Sequence, residues 1–219
     1  MPKVFLNDGI KDFAQAALPV NDGGLLYGAG IFETMRARNS VIFALDDHIA
    51  RLTQSATVLN IPSDYTPDFL KSAVAQTLAA NSLTDARLRL TLTSGPVQSE
   101  KPRATLLITA SPFESYPPEY YKKGVRVILS SCRQNATDPT AGHKTTSYFP
   151  RLLMLDLARR KGAAEALWFT HEGILAEGSI SNVFIMRDEK LCTPALSTPV
   201  LAGITRKHVL ALAPSCGLE

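Results

Sequence analysis

Apolar and polar positions alternate through much of the first half of the chain and switch to a helical period in two places. Residues 3–6, then Asn7-Asp8-Gly9 and a second short segment, predict an opening β-hairpin with suitable turn chemistry. Residues 31–38 and 41–45 flank Asn39-Ser40 and predict another hairpin. Ile49, Leu52, Ala56 and Leu59 form one apolar stripe, so a helix is expected from a cap at Asp46 or Asp47 to about Asn60, where Ile61-Pro62 ends it. A second helix is expected over residues 66–80. Residues 86–94 alternate as a strand does, and residues 104–110 form a continuous apolar run typical of a buried one.

Three prolines and little periodicity mark residues 112–124 as a link between two domains. The expected division is a domain over residues 1–112, a linker over 113–123 and a second domain over 124–219. In the second domain, strands are predicted at 125–131 and 164–170, with an amphipathic helix at 146–162 ending on Gly162. The turn His171-Glu172-Gly173 leads to short strands near 174–176 and 181–187, and residues 203–206 open a final helix. Strands and helices mix without strict βαβ alternation, so the expected fold class is α+β.

Composition narrows the function classes. The 219 residues are 45% hydrophobic and 20% charged, an ordinary globular balance. The formal charge is only +3, and the one short basic run, Arg159-Arg160-Lys161, falls at a predicted helix end, where cations suit the macrodipole. No basic stripe with interleaved aromatics argues for nucleic acid as a partner. Cys132, Cys192 and Cys216 are odd in number and widely spaced, which fits a reducing compartment better than a disulfide framework or a zinc site. His48, His143, His171 and His208 lack metal-ligand spacing, so no metal is expected. The N-terminal segment has no long apolar run, and no stretch is long enough to cross a membrane; a cytoplasmic location is the expectation.

Generic catalytic signatures are missing. Gly28-Ala29-Gly30 is only the beginning of a dinucleotide fingerprint, and neither a P-loop nor a GxSxG elbow occurs. Four other segments carry more information. They are Gly24-Leu25-Leu26-Tyr27-Gly28-Ala29-Gly30-Ile31-Phe32-Glu33-Thr34, Asp46-Asp47-His48-Ile49-Ala50-Arg51-Leu52 and Gly142-His143-Lys144-Thr145-Thr146-Ser147-Tyr148, and a discontinuous fourth. The fourth joins Glu165-Ala166-Leu167, Ala176-Glu177-Gly178-Ser179-Ile180-Ser181-Asn182-Val183-Phe184 and Leu201-Ala202-Gly203-Ile204-Thr205-Arg206. In order and spacing they resemble the fold-type IV pyridoxal-phosphate enzymes, which include branched-chain and D-amino acid aminotransferases and aminodeoxychorismate lyases. The resemblance runs from Asp22 to about Leu210.

That resemblance implies a two-domain fold like that of D-amino acid aminotransferase, with a small N-terminal α/β domain and a larger, barrel-like C-terminal one. It implies pyridoxal 5'-phosphate as cofactor, carried by Lys144, whose amine must lose its charge and later shuttle a proton. Tyr148, four residues on, would share a helix face with Lys144 if that helix starts near 145, and its hydroxyl would meet the cofactor's phenolic oxygen; it could instead be an aromatic staple. Glu177 would bond the ring nitrogen, making the ring an electron sink, unless it is only a surface acid in a turn. Arg51 and the backbone N–H groups of Ile204 and Thr205 would hold the phosphate, with Thr205 equally readable as a helix cap. Leu201 would pack on the ring, as any core leucine could.

The same resemblance offers more than one reaction. The Phe32-Glu33-Thr34 triplet looks like the lyase version, since branched-chain enzymes typically carry glycine at the third position, and the Thr34 hydroxyl could relay a proton to a departing group. Alternation puts Arg87, Arg89 and Thr91 on one face, and by the resemblance Arg89 fits the family's substrate-carboxylate position. Ser94-Gly95-Pro96-Val97-Gln98-Ser99 lacks the Arg-x-His trap usual in D-amino acid enzymes. The expectation is therefore a 4-amino-4-deoxychorismate lyase giving 4-aminobenzoate and pyruvate, as in folate biosynthesis. The alternative is a branched-chain or D-amino acid aminotransferase with a 2-oxo acid acceptor. A third reading follows from the end of the chain at Cys216-Gly217-Leu218-Glu219, shorter than the family pattern: a truncated, non-catalytic cofactor-binding or scaffold protein. The resemblance also implies a homodimer acting on a small amino substrate, with Tyr27 and Phe32 lining the substrate pocket.

Overall fold

The alternating stretches of the first half pair into one antiparallel sheet. In the computed structural model, which describes residues 1–218, the strands are β1 (Lys3–Leu6), β2 (Gly9–Asp12), β3 (Gly30–Arg38), β4 (Val41–Ile42), β5 (Ala86–Thr93) and β6 (Thr105–Pro112). Their order in the sheet is β2-β1-β6-β5-β3-β4. Asn7 closes the first hairpin at φ 58°, and Asn39 and Ser40 close the β3–β4 hairpin at φ 50° and 63°. Both turns thus use the left-handed conformations that suit the twist of a two-residue hairpin. The register sets Ile31, Glu33 and Met35 opposite Leu92, Leu90 and Leu88, so one face of the sheet is apolar apart from Glu33.

Helices α2 (Leu45–Val58) and α3 (Pro67–Ala80) cover that apolar face. Ile49, Leu52, Leu70, Val74 and Leu78 pack with Leu88, Leu90, Leu106 and Ile108 into a single core. Thr66 caps α3 by accepting from Phe69 N, with Pro67 at the first position, where its missing N–H costs nothing. The start of α2 differs from expectation. Its cap is Ala44 in the left-handed region without a side-chain bond, and Asp46 and Asp47 lie inside the first turn, where they oppose the positive end of the dipole. The second strand of the β3–β4 hairpin is also shorter than predicted, ending at Ile42, because the chain must turn into α2.

The chain divides into two compact units. The first is Met1–Ser115 together with Lys144–Ser147, and the second is Tyr116–His143 with Tyr148–Glu219. A short helix, α4 (Pro118–Lys123), lies within the stretch read as a linker. The second unit contains a three-stranded sheet, β7 (Val127–Gln134), β8 (Glu165–Thr170) and β9 (Leu175–Gly178), in which β7 and β8 run parallel and β8 and β9 antiparallel. Helix α5 (Phe149–Arg160) packs Met154 and Ala158 with Ala163, Ala166 and Trp168. A small hairpin, β10 (Ile185–Arg187) with β11 (Lys190–Cys192), and helix α6 (Ile204–Leu212) complete it. No described helix is long and apolar enough to cross a membrane.

Two expectations for this unit need correction. The helix predicted from residue 146 begins at Phe149, because residues 144–147 are taken up by pairing with β3. The strand predicted over 181–187 is confined to Ile185–Arg187, since residues 179–182 are held in a loop by hydrogen bonds to the side chains of Glu165 and Glu177.

Leu90 is fully buried on β5, in the middle of the first unit's sheet. Leu90→Ala should cost about 3 kcal/mol by loss of apolar burial and creation of a cavity. Urea unfolding should show a lower midpoint with an unchanged slope.

Candidate active site

Residues 144–147 interrupt the second unit's sequence and lie along the open edge of β3, beside residues that β4 is too short to reach. Phe32 N donates to Lys144 O at 2.8 Å, Thr146 N donates to Gly30 O at 2.8 Å, and Ile31 faces Thr145 in antiparallel register. The Thr146 hydroxyl adds a bond to Gly28 O at 2.7 Å. Gly28 sits at φ 66° after the short helix α1 (Gly23–Tyr27), and a Cβ there would press on the Ser147 hydroxyl. A Cβ on Gly30 would come within 3.0 Å of both Leu92 O and the Thr146 hydroxyl. The Gly-x-Gly pair therefore makes room for the incoming chain.

Because Thr145 shares a face with Ile31, alternation sends Lys144 to the other face of the sheet with Phe32. The Lys144 ammonium lies 4.6 Å from the centroid of the Phe32 ring, and the Arg89 guanidinium carbon lies 3.7 Å from the same centroid. Thr34 stands directly opposite Arg89 in the β3–β5 register, and Arg89 Nε donates to the Thr91 hydroxyl at 3.3 Å. Four residues singled out in the sequence, Lys144, Phe32, Thr34 and Arg89, thus share one face of one sheet. Tyr27, on α1, is 70% exposed.

Arg51 belongs to the helix-covered face. It reaches from α2 to the buried Glu33 with Nε at 2.7 Å and Nη2 at 2.5 Å, while His48 Nδ1 lies 2.7 Å from the same carboxylate. Burial pushes the Glu33 carboxyl up, but the hydrogen bonds and charges of His48 and Arg51 outweigh it and hold it below the usual glutamate range. The sequence pattern directs attention to Thr34 rather than Glu33; the acid's position in an otherwise apolar alternating register is the signal that could have found it.

The second unit gathers a separate group. Tyr148 is the residue before α5, so it does not share a helix face with Lys144 as expected; its hydroxyl donates to Ser179 O at 2.8 Å. Glu177, on β9, is 4% exposed and fully engaged. Its Oε1 accepts from Arg151 Nη2 at 2.6 Å and Gln134 Nε2 at 3.0 Å, and its Oε2 from Leu201 N at 3.0 Å and Asn182 Nδ2 at 3.4 Å. Leu201 therefore meets Glu177 through its backbone. Ile204 is buried and Thr205 exposed at the start of α6, whose cap, Gly203, makes no side-chain hydrogen bond. Arg151 and Gln134 are not singled out by the sequence, because nothing local distinguishes them; Asn182 lies within the fourth segment but is given no role there. Among the described residues, no group of three or more His, Cys, Asp or Glu could hold a metal.

By chemical type, each unit holds groups that suit part of a phosphorylated pyridine aldehyde. In the first, Lys144 carries an amine of the kind that links to an aldehyde; in the second, Glu177 is a buried carboxylate of the kind that pairs with a protonated ring nitrogen, and α6 has an N-terminus without a side-chain cap, of the kind that attracts an anion. The pattern of the Amino-transferase class IV family matches residues 30–219, and the chain belongs to that family of enzymes. Individual relatives refine the likeness. A Methanocaldococcus jannaschii protein, provisionally named a branched-chain-amino-acid aminotransferase, is 36% identical over 99% of this chain and 76% of its own length. The D-alanine aminotransferase of Bacillus licheniformis is 29% identical over 99% of this chain and 77% of its own. The crystal structure of the Escherichia coli branched-chain amino acid aminotransferase superimposes with a TM-score of 0.93 at 29% identity, covering 100% of this chain and 76% of that one. Other solved structures of the same fold hold pyridoxamine 5'-phosphate, the aminated form of the cofactor on which this family depends. The two-domain α+β fold expected from the sequence is the fold of this family.

The Glu33 cluster yields a prediction of acid sensitivity. A carboxyl held below its unfolded value contributes stability that is complete above that unfolded value and is lost as the pH falls through the folded one. Glu33→Gln should flatten the acid limb of the stability–pH curve. It should also cost about 3 kcal/mol at neutral pH, because Arg51 and His48 lose their partner. Chemical denaturation between pH 7 and pH 3 would check both.

Proposed function

We propose that the chain is a pyridoxal-phosphate-dependent aminotransferase that moves an amino group from a small amino acid of branched-chain or D-amino acid type to a 2-oxo acid. The observation that carries this reading is the placement of Lys144 with Phe32, Thr34 and Arg89 on one sheet face, in a chain of the class IV family. The named relatives support transamination over the lyase reading drawn from the Phe32-Glu33-Thr34 triplet.

Bound pyridoxal phosphate would supply a sink for the electrons left on the amino acid's α-carbon. The chain's own residues do the rest. Lys144 holds the cofactor and afterwards moves the proton at its Nζ, which requires the amine to become neutral. Glu177 would accept from the ring nitrogen; Asn182 is the partner able to make room, since its amide bonds Leu201 O at 3.0 Å, shorter than its 3.4 Å bond to Glu177. Tyr148, whose hydroxyl donates to Ser179 O, would hold the cofactor's phenolic oxygen. The N–H groups of Ile204 and Thr205, with the arginine charge of Arg51, serve the phosphate. Arg89 receives the substrate carboxylate as a two-pronged donor, with Phe32 and Tyr27 lining the side-chain pocket. The homodimer and a cytoplasmic location belong to the same proposal; exposed Leu25, Leu26 and Tyr27 on α1 offer an apolar surface for a second copy.

The deciding experiment is an assay of purified protein with valine, leucine or D-alanine and 2-oxoglutarate, following glutamate. Glutamate should form in proportion to the 2-oxo acid consumed, and Lys144→Ala should abolish it. Release of 4-aminobenzoate from aminodeoxychorismate without an acceptor would establish the lyase instead, and Thr34→Gly should then impair turnover more than cofactor binding.

A further inference from the structure

Arg151 is not among the residues singled out in the sequence, yet it makes the shortest bond to Glu177, Nη2 to Oε1 at 2.6 Å. Its other terminal nitrogen donates to the carbonyls that follow, Gly178 O at 3.1 Å and Ser179 O at 3.5 Å. Ser179 O is also the acceptor of the Tyr148 hydroxyl. The guanidinium carbon lies 5.3 Å from the centroid of the Trp168 ring and 5.8 Å from that of Tyr148. Two aromatic rings and three acceptors therefore restrict one planar fork, which can neither rotate nor withdraw without breaking contacts.

The consequence is electrostatic as well as geometric. Glu177 is an anion with a 5% exposed side chain, and Arg151, at 24%, is the only cation paired with it in the described contacts. Gln134, Asn182 and Leu201 N hydrogen-bond the carboxylate but bring no charge. A buried carboxylate whose charge is half-shared with a guanidinium pulls less strongly on a second cation than an unshared one.

We propose that Arg151 is a positioning residue for the cofactor's ring-nitrogen partner: its fork fixes the Glu177 carboxylate and the Ser179 carbonyl, and its charge moderates the negative field that Glu177 presents. The inference rests on the reading of Glu177 as that partner. It differs from a purely structural role in one respect: the fixed positive charge, rather than side-chain volume, is what the cofactor feels.

The test uses the full chain loaded with pyridoxal phosphate and three variants, Arg151→Lys, Arg151→Gln and the double variant Arg151→Gln with Glu177→Gln. The readout is the pH midpoint of the long-wavelength absorbance band of the lysine-linked cofactor. Removing a nearby positive charge favours protonated neighbours, so Arg151→Gln should move the midpoint up by about one pH unit. Arg151→Lys, which keeps the charge, should stay within a few tenths of the parent. An Arg151→Gln midpoint equal to the parent's overturns the proposal, and so does an equal shift in Arg151→Lys. If Arg151→Gln fails to fold, the double variant decides: recovery of folding supports charge compensation of Glu177, and failure of both overturns it. A parent protein with no band that borohydride removes would instead reject the functional reading on which the proposal rests.

Discussion

The short stretch of backbone pairing between Lys144, Thr145 and Thr146 and the open edge of β3 is the constraint on which the catalytic reading depends. A lysine on a loop has four rotatable bonds and a solvated head; it becomes a chemical instrument only when its Cα is fixed. Here two backbone hydrogen bonds fix it, and the antiparallel register decides which face the side chain takes. A shift by one residue would carry Lys144 to the helix-covered core and Thr145 to the face of Phe32 and Arg89. Gly28 and Gly30 are the sequence cost of that register, because side chains there would obstruct the hydroxyls of Ser147 and Thr146.

Most of the strands and the two long helices of the first unit, α2 and α3, were legible in the pattern because each is stabilised by its own periodicity. Residues 3–12, 30–42 and 86–112 carry turn residues and alternation that agree with the sheet they form. The errors fall where a distant partner overrides a local preference. Residues 146 and 147 extend an apparently amphipathic helix, yet Gly30 and Gly28 hold them first, so α5 starts late. Asp46 and Asp47 are good capping residues, but the hairpin leaves the chain at Ala44 in a left-handed conformation, and the cap falls there. In both cases the deciding interaction lies tens of residues away or in the geometry of the preceding turn.

The candidate site rests on a different kind of signal. Lys144, Glu177 and Arg51 stood out through family resemblance, which encodes distances that no local rule contains. Their supporting residues did not. Glu33 looks like a polar step in a strand until α2 brings Arg51 and His48 against it, and Arg151 looks like any helix arginine until β9 presents Glu177. Hydrogen-bond partners across elements depend on rotamers and packing that a single sequence leaves open, whereas the strand register only needs alternation.

Each unit thus buries one glutamate against one arginine, and the two pairs are unequal in a way that follows from their surroundings. Glu33 is held by two basic side chains, both on α2, against the core face of the sheet. Its carboxylate orients Arg51 through two parallel bonds, so the arginine's direction is set before any anion arrives. Glu177 has one cation and three neutral donors, and those donors come from β7, from the loop after β9 and from the segment before α6. Isolated buried ion pairs are poor stabilisers compared with apolar packing, since desolvation offsets most of their attraction. Retaining two of them in a chain of this size makes sense if their value lies in orientation. Glu33 converts a flexible arginine into a fixed one, and Arg151 does the reverse, converting a flexible acid into a fixed one. The direction of control runs from acid to base in the first unit and from base to acid in the second, and it is the one the proposed roles require: a fixed positive charge for a phosphate and a fixed negative charge for a protonated ring nitrogen.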